Sequence, residues 1–197
     1  MSATPPPLMV EPLSGPDVAM EVIQCIGAFR LLRKAILISY TLQDYEFTGH
    51  GLVSDLLRRQ LALGAKITVL TTPPPFNPKK NPYKDKLRLL EKLDADGINV
   101  LLNERVHAKV YLFSDADDRH TAIVGSANLS HGGFGVKGTD VGWHEVSLLC
   151  TDTDLFQKTS SLVENGMMAD RNTMDFSTWR TLNFSNIAIA KSGESDD

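Results

Sequence analysis

Hydrophobic residues recur alternately at helical and at strand spacing through the first half of the chain. Residues 17 to about 33 place apolar side chains three or four positions apart, which predicts a helix, and the run AILISY at 35–40 is typical of a buried strand. The alternation continues with a helix over 52–63, a strand over 66–71, a helix over about 83–94 and a strand over 98–102. This order predicts an α/β fold with a mixed, largely parallel β-sheet flanked by helices on both faces.

The second half of the chain has a higher density of predicted strands. Residues 107–113 and 121–125 predict two strands, and the short polar link SDADDRH between them indicates a hairpin. We further predict a turn or short helix over 127–134, a strand over 145–150, a helix over 152–166 and irregular structure over 167–190.

The two ends of the chain differ in composition from the part between them. Residues 1–16 hold five of the ten prolines and show little periodicity, so we expect a flexible N-terminal tail. Residues 191–197 are small, polar and acidic, and we expect a second tail there. The remaining 17–190 then form one domain, which a chain of 197 residues with 42% apolar content can fold around its own core.

The formal net charge of −4 excludes a protein that coats nucleic acid by bulk charge. It leaves room for a local basic cleft, because only the groove that follows the phosphates must be positive. The segment 77–92 concentrates lysines together with Tyr83, next to Phe76, and is a candidate for such a surface. The alternative is an ordinary solvated helix.

Cysteine usage and the N-terminus bear on the compartment. Cys25 and Cys150 are far apart in sequence and form no CxxC pair, which favours buried thiols in a reducing compartment. Residues 1–16 lack a basic start followed by an apolar stretch, and no apolar run is long enough to span a bilayer. We therefore expect a cytoplasmic protein with no membrane partner.

Two short motifs carry the candidate chemistry. His107 and Lys109 are two positions apart in a predicted strand, so both side chains are expected on one face. Gly125, Ser126 and Asn128 leave the end of the next strand, where the glycine allows a close backbone approach and the other two offer hydroxyl and amide donors. An imidazole, a cation and neutral donors at one point suit a phosphate diester, whose oxygens need stabilisation during displacement.

These residues resemble the signature of the phospholipase D superfamily, which runs HxK, then Asp, then GSxN. The matches are His107-x-Lys109 and Gly125-Ser126-x-Asn128, and Glu145 fits a glutamate that usually follows on a later strand. The resemblance covers about residues 17–166 and implies the phospholipase D/nuclease fold.

The resemblance also implies a role for each matching residue. His107 would attack phosphorus and form a covalent phosphohistidine. Lys109 and Asn128, helped by Ser126, would hold the non-bridging oxygens, and Glu145 would orient a histidine ring. A second histidine would protonate the leaving oxygen and later activate water.

The sequence departs from the signature at one position. The family aspartate falls five residues after the lysine, but that position is Ser114, and Asp115 follows it. Either the turn is shifted by one residue or the aspartate is absent. If the aspartate is absent, the chain resembles in this respect a branch of metal-independent, restriction-type endonucleases of the superfamily. In the family, this aspartate has mostly a supporting structural role.

The chain contains one HxK motif, whereas the family mechanism uses two histidines. None of the other histidines, which are His50, His120, His131 and His144, is followed two residues later by lysine. The second histidine is therefore expected from a second copy of the chain, in a homodimer whose two-fold axis passes through the active site. His131 and Trp143 are candidates for lining the active-site cleft. Tyr40, at the end of its predicted strand, is a candidate for contacting substrate.

No metal or cofactor is expected, because the sequence has no HExxH, no CxxC and no ligand set among its scattered histidines. The sequence predicts a metal-independent phosphodiesterase, namely an endonuclease that cleaves DNA (or RNA). Sequence specificity would need a further domain or a partner protein. The alternatives are a phospholipase or phosphatidyltransferase and a catalytically silent nucleic-acid-binding module.

Overall fold

The alternating apolar segments fold into one eight-stranded sheet in the part of the chain that the computed structural model describes. The described ranges are 10–27, 31–44, 46–47, 51–75, 77–130, 133–134 and 145–192. The strands are β1 Val10–Ser14, β2 Leu32–Ser39, β3 Glu46–Phe47, β4 Gly51–Leu52, β5 Lys66–Thr71, β6 Asn99–Leu102, β7 Lys109–Asp115, β8 His120–Gly125, β9 Val146–Cys150 and β10 Met174–Asp175. The helices are α1 Gly15–Ile26, α2 Val53–Ala62, α3 Asn81–Ala95, α4 Thr153–Leu162, α5 Phe176–Leu182 and α6 Phe184–Ser192, with a π-helical turn over Val163–Met168 after α4.

The sheet has the strand order β1-β9-β8-β7-β2-β5-β6-β10, and β3 and β4 form a separate two-stranded pair. Parallel pairing joins β2 to β5 and β5 to β6, because helices α2 and α3 carry the chain back between them. The other pairings in the large sheet are antiparallel. The predicted mixed α/β sheet flanked by helices is confirmed. The expectation that it is largely parallel is wrong, because only β2, β5 and β6 run parallel, whereas the hairpin of β7 and β8 continues the sheet with antiparallel neighbours.

Both faces of the central strand β2 are covered, which explains its uninterrupted apolar run. Ala35 and Leu37 belong to a core with α1, α2, α3, α5 and α6, whereas Ile36 and Ile38 pack on the opposite face with α4 and the π-helical turn. A strand buried on both faces must be apolar at successive positions.

The N-terminal tail is shorter than the sequence predicts, and the prediction of a flexible segment over 1–16 is wrong for residues 10–16. Val10–Ser14 pairs antiparallel with β9, and Gly15 already begins α1. Pro12 is tolerated because β1 is an edge strand, where a missing N–H group costs no ladder hydrogen bond. Residues 1–9 lie outside the described residues.

The C-terminal region is more ordered than predicted, and the expectation of irregular structure over 167–190 is wrong. The carboxylate of Asp175 caps α5 by accepting a hydrogen bond from the Thr178 amide at 2.8 Å. Phe176 and Trp179 stack on each other at 5.9 Å between centroids and are buried in the larger core. Burial in the tertiary fold stabilises these short helices, since their own periodicity is weak. Of the predicted 191–197 tail, the first two residues belong to α6 and the others lie outside the described residues.

Two predicted boundaries also move. Helix α1 ends at Ile26 rather than near 33, where the Gly27 amide still donates to the Ile23 carbonyl at 2.6 Å, and β2 begins at Leu32 rather than at 35.

Within the described ranges, no helix is long and apolar enough to cross a membrane.

Candidate active site

The predicted site residues meet at the edge of the sheet where the parallel strands end. Lys109 begins β7 and pairs with Gly125 at the end of β8, which in turn pairs with Ser147 near the start of β9. Tyr40 follows the end of β2, the strand on the other side of β7. Four chain segments therefore place side chains in one region, at the edge where open α/β sheets bind ligands.

The His107 ring is held against an aromatic neighbour. It stacks on Tyr40 with 4.8 Å between centroids and 14° between planes. His107 lies just before β7, so the predicted strand over 107–113 begins two residues later, at Lys109. Both residues nevertheless converge, because the Lys109 Nζ atom donates to the His107 carbonyl at 2.9 Å and lies 5.8 Å from the Tyr40 centroid. Within the described residues, neither imidazole nitrogen has a hydrogen-bond partner and Lys109 has no carboxylate partner.

The Asn128 amide is oriented by β2. Its Oδ1 atom accepts a hydrogen bond from the Thr41 amide at 3.1 Å and lies 3.3 Å from the Ser39 hydroxyl, whose proton has a nearer acceptor in the Thr41 carbonyl at 2.5 Å. The same Ser39 oxygen accepts from the Leu129 amide at 2.9 Å. Because the acceptor end of the amide is occupied, the Nδ2 donors, which have no acceptor among the described residues, are available for an oxygen of a ligand. Ser39, buried in the sheet, is a positioning residue that the motif did not reveal.

Close packing also fixes the backbone of Asn128. A Cβ atom at Gly133 would contact the Asn128 backbone, with its nitrogen at 2.5 Å, so this close approach requires a glycine. The Ser130 amide donates to the Asn128 carbonyl at 2.8 Å. Of the predicted turn over 127–134, the described residues 127–130 and 133–134 pack closely together and present the amide.

Gly125 and Ser126 serve the neighbouring strand. A Cβ atom at Gly125 would collide with Ser147 and would lie 2.5 Å from the Val146 carbonyl. The Ser126 hydroxyl bonds the same backbone, since it accepts from the Val146 amide at 3.1 Å and donates to the Val146 carbonyl at 3.3 Å. The structure therefore gives both residues a packing role between β8 and β9, and ligand contact by them stays a prediction.

Glu145 lies immediately before β9 rather than in it, and it is half-buried. Burial, together with the nearby charge of Glu145, raises the pKa of Tyr111 above its ordinary value. The Tyr111 hydroxyl donates to the Ala127 carbonyl at 2.7 Å. Glu145 makes no hydrogen bond to His107 among the described contacts, so its orienting role stays a prediction.

Asp115 lies at the opposite end of β7 from Lys109 and stabilises its own turn. Its carboxylate accepts from the Asp117 and Arg119 amides at 3.0 and 2.9 Å and pairs with the Arg119 guanidinium at 2.7 Å. Burial acts to raise the pKa of Asp115, but these donors outweigh it and hold the pKa below its usual value. The arrangement is a structural turn.

His120 is also remote from the site. Its ring stacks on Phe156 at 4.5 Å and its Nδ1 atom lies 3.1 Å from the Ser114 hydroxyl, at the far end of β8. The other sequence candidates, which are His50, His131, Trp143 and His144, lie outside the described residues.

The lysine-rich segment 77–92 does not present the predicted aromatic surface, because Tyr83 is 3% exposed and belongs to the core. Phe76 lies outside the described residues. The segment contains a residue that the sequence analysis missed, Lys86, which is 9% exposed. Its spacing of three from Tyr83 and Leu89 places it on the buried face of α3, and this signal was present in the sequence. Across the described ranges, no group of three or more potential metal ligands is found.

The comparisons with known proteins agree with this geometry. Residues 30–166 match the family model described as "Cardiolipin synthase, PLD-like domain". Among solved structures, the chain is similar to the phospholipase D family member Nuc from Salmonella typhimurium, with a TM-score of 0.59 and 11% identity over 86% of this chain and 97% of that one. No curated protein matches the chain.

Two longer proteins share the fold. Phosphatidylserine synthase from Haemophilus influenzae has a TM-score of 0.61 and 14% identity over 93% of this chain and 43% of its own. Polyphosphate kinase from Porphyromonas gingivalis has a TM-score of 0.57 and 13% identity over 83% of this chain and 27% of its own. With the family model spanning most of the sheet and both halves of the motif at one edge, the chain belongs to the PLD-like domain family of the phospholipase D superfamily.

Proposed function

We propose that this protein is a metal-independent endonuclease that cleaves DNA (or RNA) through a phosphohistidine, in an active site shared by two copies of the chain. The observation that carries the proposal is the arrangement around Tyr40. The exposed His107 imidazole stacks on its ring, and the Lys109 ammonium lies beside the same ring. The Asn128 amide is held next to them, because its Oδ1 atom accepts a hydrogen bond from the backbone amide of Thr41, the residue after Tyr40. This set supplies a nucleophile, a cation and a donor for one phosphodiester.

The reaction proceeds in two displacements at phosphorus. A ring nitrogen of His107 forms a bond to phosphorus while the P–O bond to the leaving group breaks, and the leaving oxygen takes a proton from the partner subunit's His107. That imidazole, now neutral, removes a proton from water, whose oxygen attacks phosphorus and breaks the P–N bond. Lys109 and Asn128 stabilise the charge on the non-bridging oxygens in both steps.

An exposed apolar patch supports the presence of the second copy. Val124, Val146 and Leu148 are 42%, 62% and 49% exposed and lie together on the sheet face opposite Lys109, at the same end of their strands. Grouped exposed apolar side chains are typical of protein contacts. The patch therefore supports a protein contact near this end of the sheet, and the meeting of the two copies of His107 across a two-fold axis is part of the proposal.

Nucleic acid as the substrate is supported by two lysines that contact Tyr40 at the site, Lys109 and Lys86, because successive phosphates of a strand need more than one cation. The second candidate is a phospholipase or phosphatidyltransferase. It is favoured by the family description and by the likeness to a phosphatidylserine synthase. A catalytically silent module is disfavoured, because the half-site retains all of its reactive groups.

Incubation with plasmid DNA, single-stranded DNA, RNA and phosphatidylcholine in excess EDTA tests the substrate class. We expect the nucleic acids to be cut and the lipid to remain intact, with no loss of rate on chelation, because His107 supplies the nucleophile. Electrophoresis and lipid chromatography are the readouts. Selective lipid turnover would replace the proposal with the second candidate, and inhibition by EDTA would indicate a metal enzyme.

Mixing of subunits tests the shared site. When wild-type chain is co-refolded with an equal amount of His107→Ala chain, random pairing leaves about a quarter of the dimers with two histidines. We expect activity per total protein to fall to about a quarter of that of the wild type. A fall to one half would show that each chain works independently, and co-refolding with a His120→Ala chain controls for dilution and handling.

A further inference from the structure

A cleft of about 840 Å³ opens beside Tyr40, between the proline-rich loop after β5, the start of α3 and the C-terminal helices. Its walls combine apolar rings with charged and amide side chains. Six of the lining residues are Tyr40, Thr72, Pro75, Lys86, Arg88 and Trp179. Its size is that of a small-molecule or nucleotide site, and the mechanism described above does not use it.

Lys86 is the notable group in the wall of this cleft. Its Nζ atom donates to the Thr72 hydroxyl at 2.8 Å and to the Tyr40 carbonyl at 3.2 Å, both neutral acceptors. No carboxylate pairs with it in the described part of the chain. Desolvation by burial lowers the pKa of Lys86 to about 7. A buried amine with a shifted pKa in a cleft is typical of a functional group, and a bound anion would supply the missing counter-charge.

The other charges of the cleft are arranged differently. Lys92 lies 3.2 Å from Asp44 and 3.5 Å from Asp55, and Arg88 faces Asp85 at 3.7 Å. These cations have carboxylate neighbours, whereas Lys86 has none among the described residues. The first turn of α3 carries no acidic residue, so the positive end of the helix dipole adds to the potential beside it.

One residue connects the cleft to the candidate active site. Tyr40 presents its ring to His107 and its carbonyl to Lys86, so a ligand bound at His107 and a ligand group near Lys86 contact two sides of the same residue. In a nucleic acid strand, phosphates follow one another at each nucleotide, so a second anion lies near the scissile one. Phosphatidylcholine has a single phosphate and would leave the Lys86 ammonium without a counter-charge.

We propose that this cleft binds the nucleotide that flanks the scissile phosphate, with the neighbouring phosphate on the Lys86 ammonium. The inference rests on the proposed nuclease function and specifies its substrate as a strand with at least one further phosphate. It makes Lys86 a substrate-binding residue.

Binding is measured first in a His107→Ala background, so that no turnover occurs. We expect Lys86→Met to weaken the affinity for a fluorescein-labelled thymidine oligonucleotide about tenfold, as the loss of one charge-assisted contact implies. Fluorescence anisotropy gives the affinity. Lys66→Met removes the same charge at the exposed start of β5, away from the cleft, and should leave the affinity within about twofold.

Turnover is then compared on two substrates with His107 present. Lys86→Met should raise the KM for the oligonucleotide about tenfold. The loss of kcat/KM should be several times larger for the oligonucleotide than for bis(p-nitrophenyl) phosphate, because that diester has no flanking phosphate. An equal loss on both substrates would show that Lys86 acts through Tyr40 on His107 and would overturn the inference.

The remaining outcomes separate this inference from the proposed function. If wild-type protein cleaves neither substrate, the proposed function fails, while the anisotropy measurement still tests the cleft. Unchanged oligonucleotide affinity in Lys86→Met overturns the inference even if cleavage is normal. Lys86-dependent binding to phosphatidylglycerol vesicles, without binding to the oligonucleotide, would assign the cleft to a lipid and also overturn it.

Discussion

His107→Ala is expected to reduce phosphodiester cleavage by about 10³-fold or more, because the variant removes the nucleophile that forms the covalent intermediate. The fold should persist, since the His107 ring is exposed and its stacking on Tyr40 contributes about 1 kcal/mol at most. The rate on an oligonucleotide in EDTA gives the first quantity, and the thermal midpoint gives the second.

His120→Ala is the matched control, because this imidazole is also stacked on an aromatic ring but lies at the far end of β8. Its activity should equal that of the wild type. Cleavage by His107→Ala within about tenfold of the wild-type rate would remove the histidine from the chemistry. Turnover of a substrate labelled at phosphorus should leave an acid-labile label on the wild-type chain and none on the variant. This result would independently identify the phosphohistidine.

The second large effect concerns stability. Burial lowers the pKa of Lys86 to about 7 from 10.5, so between these values the unfolded chain binds more protons than the folded one. The free energy of unfolding should therefore increase with pH across that window, with a slope of up to about 1.4 kcal/mol per pH unit from this group. Below about pH 7 the contribution becomes constant, because both states are then protonated.

Lys86→Met should remove this slope and stabilise the protein by about 1–3 kcal/mol at pH 7, because a buried cation without a counter-charge is replaced by an apolar helix former. The Tyr40 carbonyl keeps donors in the Thr71 and Thr72 hydroxyls, at 3.4 and 3.0 Å. Urea titrations from about pH 6 to about pH 9 measure both quantities. A flat wild-type profile, or a destabilised variant, would contradict the burial of a charged amine.

The two effects of Lys86 are related. A residue that lowers stability at neutral pH and has no carboxylate partner in the described structure is typical of a binding site, where stability is lost for function. The same variant, Lys86→Met, is therefore expected to change two properties in opposite directions. The binding assay should show weaker substrate affinity, and the urea titrations should show greater stability.

Local pattern was enough for the central part of this molecule. The alternation of apolar runs and amphipathic helices from 35 to 102 predicts β2, β5 and β6 because both faces of these strands are buried. The pairing of His107-x-Lys109 with Gly125-Ser126-x-Asn128 predicts the family, since motif spacing is read directly along the chain.

Contacts between distant segments decided the rest. Strand β1 exists because β9 offers it an edge, and α5 because Phe176 and Trp179 find a core, and neither partner is visible in the local sequence. Two contacts in the site join residues that are far apart along the chain. His107 stacks on Tyr40, and the Ser39 hydroxyl contacts the Asn128 amide oxygen.

Lys86 shows why the sequence alone does not reveal which residues contact each other. Helical spacing places it on an apolar face, but only the packed fold reveals that Thr72 and Tyr40 meet it there without a carboxylate. Periodicity reports which side of an element is buried, whereas the neighbours across that side depend on the topology of the whole sheet.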